Sequence, residues 1–236
     1  IYVLRHGESP YAQGIVSLGE ANDLTEKGVR IVEDSTNHLV DKLDKSRPVQ
    51  IHSSPFGRCL HTSKIVAESL KNKGFGVEDI VSDMVLGEVA NLDWPLFISL
   101  VKGGEVTYDG EKFVVDPKLT NPTGLDSVRY FRGDHAHALS QKARDSLPKG
   151  SLDRISSFEK YSSSSKRFGI KVDEIDGSDK NTILTTHEGL PGKFIEMITG
   201  HPSSHLDRGK YFGIRKENGV LVPVNYQEDA IVSGDY

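Results

Sequence analysis

Two patterns share the chain: short β-rich apolar runs that stop abruptly at charged or histidine residues, and longer stretches whose apolar positions recur at helical spacing. The opening run Ile1-Tyr2-Val3-Leu4 ends at Arg5-His6-Gly7 and reads as a buried strand that delivers a histidine to its end. After a loop to Thr25, the residues Val29, Val32, Leu39, Val40 and Leu43 form an imperfect helical stripe. Thr25 suits the N-cap of a helix from Glu26 to about Lys45, with Pro48 just past its end. Val49-Gln50-Ile51-His52 is a second strand, and the helix after it, from about Arg58, buries Cys59, Ile65, Val66 and Leu70 before Gly74 stops it. Asp79 to Leu86 reads as a third strand that ends at Gly87-Glu88.

From about Ala90 to Gly150 the periodicity weakens, and the stretch is too short and polar to build its own core. It is expected to be an excursion from a single domain spanning 1–236. Within it, Glu105-Val106-Thr107-Tyr108 and Glu111-Lys112-Phe113-Val114-Val115 flank Asp109-Gly110, a two-residue hairpin signal. Helices are expected over Ser127 to Leu147 and Leu152 to Phe168, with Ser162 to Ser165 exposed at a fraying helix end and turns from Asp173 to Lys180. The run Asn181 to Thr186 is a further strand that again ends on a histidine, His187, with a helix at once behind it around Pro191, Phe194, Ile195 and Ile198. Tyr211 to Arg215 and Val220 to Val224, joined through Glu217-Asn218-Gly219, predict a terminal hairpin. Strands alternating with helices define an α/β fold: a three-layer α/β/α sandwich on a mostly parallel central sheet, carrying an irregular or helical insertion at about 90–150.

Composition narrows the function classes. With 29 Lys+Arg against 34 Asp+Glu the net charge is −5, and no basic stripe supplies the affinity of a nucleic-acid binder. No apolar run approaches the length of a membrane span. A single cysteine, Cys59, excludes an internal disulfide and a thiolate zinc site, so a reducing compartment, the cytoplasm, is the default expectation. The chain opens inside an apolar run with no signal-peptide pattern, which leaves a trimmed or mature N-terminus open. Oligomeric state is not legible.

In open α/β sheets ligands gather beyond the carboxyl ends of the strands, and there the chain carries Arg5, His6, Arg58, Glu88 and His187. Two histidines, two arginines and a carboxylate suit phosphoryl transfer. An imidazole nitrogen can attack phosphorus, guanidinium forks match phosphate oxygens, and a protonated carboxylic acid can supply the leaving alkoxide with its proton. Each residue alone has a quieter explanation, such as a hydrogen-bonded loop histidine or a surface ion pair; their recurrence at successive strand ends favours a site. His135-Ala136-His137 has a metal-like spacing, but i and i+2 face different ways on a helix, so solvated side chains are the better reading. His201 and His205 could approach the strand ends or decorate a loop. Gly192-Lys193 lacks the glycine run of a nucleotide-binding loop.

Four segments in order, Leu4-Arg5-His6-Gly7-Glu8-Ser9, Asp23-Leu24-Thr25-Glu26-Lys27-Gly28, Ser53-Ser54-Pro55-Phe56-Gly57-Arg58 with Cys59 to Ser63, and Thr186-His187-Glu188-Gly189, resemble the motifs of the histidine phosphatase superfamily, also called phosphoglycerate mutase-like. The resemblance covers about the first 88 residues and Asn181 to Gly200. It implies a phosphomonoesterase of the smaller, non-secreted branch, working without metal or cofactor on a small phosphorylated molecule or a phosphopeptide. His6 would be the phosphorylated nucleophile, Arg5 and Arg58 the phosphate clamp, His187 a further phosphate ligand at the reacting group, and Glu88 the proton donor. Glu188 is the rival donor, because another branch places its acid directly after the second histidine. Ala12 stands where the family often has an asparagine phosphate contact, with Gln13 and Tyr11 as substitutes. Leu86-Gly87-Glu88 runs on to Trp94 without the mutase subfamily's "ERxYG". A mutase-type transfer and a catalytically inactive phosphate-binding module are the alternatives.

Overall fold

Apolar residues on both sides of a strand require cover on both faces, and that is how the chain folds in this computed structural model. It describes residues 1–10, 23–87, 104–108, 111–115, 161–175, 178–187, 194, 204–224 and 231–233. The central sheet takes β1 (Tyr2–Arg5), β2 (Val49–Ser53), β3 (Val81–Ser82), β6 (Asn181–Thr186), β8 (Tyr211–Glu217) and β9 (Val220–Val224) in the order β3-β2-β6-β1-β8-β9. The first four are mutually parallel, and β8 and β9 add an antiparallel edge.

Successive residues point to opposite faces. Tyr2 and Leu4 of β1, Val49 and Ile51 of β2, Ile183 of β6 and Tyr211 of β8 share one core with α1 (Glu26–Val40) and α2 (Gly57–Asn72). Val3, Leu184, Phe212 and Ile214 face the other way, onto Phe168 and Val172 of α3 (Tyr161–Ile175) and onto Phe194. The result is the expected α/β/α sandwich.

Several boundaries differ from the sequence expectation. α1 ends at Val40, short of Lys45, because the chain turns toward β2 and is pinned there by Asn181, whose amide donates to the Asp44 and Arg47 carbonyls at 2.7 and 3.1 Å. The third strand is only two residues long. It pairs at His52↔Val81 and Ser53↔Ser82, and then Asp83 accepts from the Val85 N–H at 2.9 Å and starts a 3-10 turn, Met84–Leu86. α3 runs through Ile175, past the expected stop, because Phe168, Val172 and Ile175 recur at i, i+4 and i+7 and pack on the sheet. The serines 162–165 therefore sit in its first turns, not at a fraying C-terminus.

The expected terminal hairpin forms, and Asn218 and Gly219 both take positive φ, 52° and 82°, as its tight turn requires. A two-stranded pairing of β7 (Ser204–Leu206) with β10 (Ile231–Ser233) was not foreseen; with no long apolar run, neither segment announces a strand. The chain divides into two compact units, Ile1–Glu88 with Ser165–Asp235, and Val89–Ser164. In the second, β4 (Gly104–Tyr108) and β5 (Glu111–Val115) form the anticipated antiparallel hairpin, tied by a Lys112–Glu105 ion pair of 2.6 Å. The helix expected over Ser127 to Leu147 lies outside the described residues.

Candidate functional site

Register brings the histidines together. Arg5 of β1 is level with Thr186 of β6, so His6 and His187 are the first residues beyond two adjacent parallel strands. On the far side of β6, Ser53 of β2 is level with Thr185. Ser54-Pro55-Phe56 then turns the chain so that Arg58 enters in the first turn of α2. That helix starts without a side-chain cap or an acidic residue in its first turn, and carries an arginine instead. A cation there opposes the helix dipole, an arrangement that suits an anion-binding end.

Arg5, His6, Arg58 and His187 are all buried. Hydrogen bonding fixes the state of both rings, because a guanidinium only donates. Arg58 Nε donates to His6 Nε2 at 3.1 Å, so that nitrogen holds a lone pair, and His6 Nδ1–H donates to the Gly7 carbonyl at 2.7 Å. Arg58 Nη2 likewise donates to His187 Nδ1 at 3.0 Å, leaving His187 Nε2–H to donate to Ser54 Oγ at 2.9 Å. One guanidinium thus faces the lone pairs of both imidazoles, whose ring centres are 5.2 Å apart. Phe56 closes the same corner, edge-on to His187 at 5.2 Å and 5.4 Å from the Arg58 guanidinium carbon. Arg5 reaches the carbonyl of Leu206 through Nη1 at 2.8 Å. Cys59 Sγ lies 3.4 Å from His187 Nε2, inside this cluster.

Burial, and then the cost of placing a further positive charge beside His187, Arg58 and Arg5, holds the His6 pKa well below its ordinary 6.5, against an upward pull from the Gly7 carbonyl. The imidazole stays neutral and nucleophilic in weak acid. The unfolded chain takes up this proton near pH 6.5 and the folded protein does not, so stability should fall as pH drops below about 6.5 and be full above it. His52, lowered mainly by burial, acts in the same direction. Urea unfolding at a series of pH values should show this slope, partly flattened in His6→Gln; stability that rises on acidification through the window would contradict the assignment.

The loop after His6 is tied to α1. Thr25 accepts from the Gly28 N–H at 2.9 Å as the N-cap, and its own N–H donates to the Glu8 carbonyl at 2.9 Å. The buried Glu8 carboxylate takes Thr25 Oγ1 at 3.2 Å and Lys27 Nζ at 3.0 Å. Gly28 is needed for contact: a Cβ there would fall 2.2 Å from the Glu8 carbonyl oxygen. Lys27, in the first turn of α1, thereby pairs with the residue two places beyond His6. The other clasp was missed altogether. Gly209 donates its N–H to the carbonyls of Arg5 and His6 at 3.1 and 3.0 Å, with φ +67°, and a Cβ would lie 2.5 Å from Ile31 Cγ2. A glycine between two charged residues, Arg208 and Lys210, was the available signal.

Of the residues expected at the site, Arg5, His6, Arg58 and His187 are brought together. Glu88, Glu188, Tyr11, Ala12, Gln13, His135, His137 and His201 lie outside the described residues. His205 falls within β7, paired with Val232. Among the described residues no three His, Cys, Asp or Glu side chains converge to hold a metal ion, and no helix is long and apolar enough to cross a membrane.

Two neutral imidazoles and two buried guanidiniums at the carboxyl ends of a parallel sheet define an α/β protein equipped for phosphoryl chemistry. Comparison with known proteins agrees on the fold. Residues 1–96 match the model of the histidine phosphatase superfamily (branch 1). The whole chain shares its fold with a phosphoglycerate mutase from Bacillus anthracis str. Sterne, at 19% identity and TM-score 0.58 over 97% of this chain and 92% of that one. It is similarly related to a mycobacterial glucosyl-3-phosphoglycerate phosphatase complexed with VO3, at 15% identity and TM-score 0.55 over 95% of each. A structure described as mycobacterial hydrolase 1 gives 15% identity and TM-score 0.57 over 96% of each. A search of curated protein sequences finds no match. Residues 1–96 therefore carry the sequence pattern of the histidine phosphatase superfamily (branch 1), and the likeness to the solved structures shows the fold over nearly the whole chain.

Proposed function

We propose that the protein is a metal-independent phosphomonoesterase working through a phosphohistidine on His6. The observation that carries this reading is the tautomer of His6: Nδ1–H is held by the Gly7 carbonyl, and the Nε2 lone pair faces the Arg58 guanidinium. A phosphate entering there draws the donors of Arg58, with Arg5 and His187, onto its oxygens and bares Nε2. Nε2 then attacks phosphorus, the P–O bond to the alcohol breaks, and a carboxylic acid at Glu88 gives the departing alkoxide its proton. The resulting carboxylate takes a proton from water, which attacks the phosphohistidine, frees inorganic phosphate and restores His6. Charge spread over the equatorial oxygens is held by the two guanidiniums. The substrate is a small phosphorylated molecule or a phosphopeptide.

A panel of phosphorylated metabolites, phosphopeptides and 3-phosphoglycerate tests the reading. Phosphate release should persist in excess EDTA and be inhibited by vanadate, as the VO3 complex of the mycobacterial phosphatase supports. Loss of activity restored by zinc or magnesium, or isomerisation without release, would refute it. For the donor, Glu88→Gln should cost about 10²-fold or more on an alkyl phosphate and far less on p-nitrophenyl phosphate, whose leaving group needs no proton. The same dependence in Glu188→Gln, and not in Glu88→Gln, would move the role to Glu188.

A further inference from the structure

The 3-10 turn that leads out of β3 has little to hold it by itself. It is three residues long, Met84 is 73% exposed, and only Leu86 is buried in the core. Such a turn has weak intrinsic hydrogen-bond geometry and takes its order from its surroundings. Here the surroundings supply a partner for each carbonyl from Met84 to Gly87. Arg167 of α3 donates through Nη1 to the carbonyls of Val85 and, at 3.4 Å, Met84, and through Nη2 to that of Gly87 at 3.4 Å. Thr186 Oγ1 donates to the Leu86 carbonyl at 2.8 Å.

One helical turn beyond Arg167, on the same face, Lys171 pairs with Asp83 at 2.7 Å; both side chains are 13% exposed. Burial pushes the Asp83 carboxyl up, but the Lys171 ammonium and the Val85 N–H more than offset this and hold it below the usual range. Asp83 N–H in turn donates to the Ser53 carbonyl at 2.8 Å. Thr186 ties this mount to the nucleophile, because its own carbonyl accepts the His6 N–H at 3.0 Å. The next residue along the chain from this braced turn is Glu88.

We propose that Arg167 is a positioning residue for the proton donor: its fork fixes the carbonyls of Met84, Val85 and Gly87, the residues that lead in sequence directly into Glu88. The inference rests on the reading of Glu88 as the donor. A lysine keeps the charge but reaches one carbonyl at a time, so the two-armed geometry is the property at stake.

The test compares wild type, Arg167→Ala, Arg167→Lys, Glu88→Gln and the Arg167→Ala/Glu88→Gln double variant on an alkyl phosphate and on p-nitrophenyl phosphate. Arg167→Ala should lose about 10-fold or more in kcat/KM on the alkyl phosphate and change little on p-nitrophenyl phosphate, with Arg167→Lys between it and wild type. In the Glu88→Gln background the Arg167→Ala loss should vanish, since two residues serving one proton transfer are not additive. Equal losses on both substrates would reduce Arg167 to a stabilising residue and overturn the proposal, as would wild-type kinetics in Arg167→Ala. Amide exchange at Leu86 and Gly87, whose N–H groups close the turn, should quicken in Arg167→Ala; unchanged exchange would also overturn it. If exchange quickens but Glu88→Gln shows no leaving-group dependence, it is the donor assignment that fails.

Discussion

His6→Ala is expected to lower turnover by about 10⁴-fold or more, the scale seen when an enzyme loses its nucleophile. The fold should survive, because His6 stands beyond the end of β1 while the core is built by Tyr2, Val3 and Leu4 on the strand itself. Rapid quench of the wild-type protein with labelled substrate should trap an acid-labile, base-stable phosphoramidate that is absent from the variant. A fully active His6→Ala protein, with the label elsewhere or nowhere, would sink the mechanism. Circular dichroism of the same sample separates loss of chemistry from loss of structure.

Arg58→Ala should come next, at about 10²- to 10³-fold in kcat/KM, the usual cost of removing one preorganised donor from a transition-state charge. Its position makes a second effect measurable. Arg58 is one of two guanidiniums that, with burial and the neighbouring His187, hold the His6 pKa down, so its removal should shift the His6 titration upward toward 6.5 and carry the acid limb of the pH–rate profile with it. Arg58→Lys retains charge without the fork that faces both imidazoles, and should repair the pH profile more than the rate. A variant with normal kcat/KM would remove Arg58 from the site.

The parts of this site that could be read from the sequence are those whose chemistry stands at the end of a strong β run. Leu4-Arg5-His6 and Thr185-Thr186-His187 each follow a buried strand, and register in a parallel sheet does the rest. Arg58 was legible through its motif, because a short crossover from β2 leaves little freedom in where the first turn of α2 points. What escaped was long-range. The clasp of Gly209 on the backbone of β1, the bond from Thr186 to Leu86 and the fork of Arg167 join residues far apart in the chain, and none leaves a periodic trace. The third strand failed for a local reason: the side chain of Asp83 competes for the backbone and bends it into a 3-10 turn. α3 ran long because tertiary packing of Phe168 and Val172 overrode the polar, turn-like composition around it.

The sheet order has a further consequence, for synthesis. β6 lies between β1 and β2, so the first two strands to leave the ribosome have no contact with each other until a segment about 130 residues downstream of β2 arrives to separate and join them. Until then β1 and β2 each present an open edge, and the apolar faces of Val3, Ile51 and their neighbours lack a complete sheet. Residues 1–96, although they carry the recognisable family sequence, therefore lack the central strand of the sheet they begin. A nascent or truncated chain stopping there should be a client for chaperones and proteases, and a premature stop before Asn181 should give neither a phosphatase fragment nor a soluble folding intermediate.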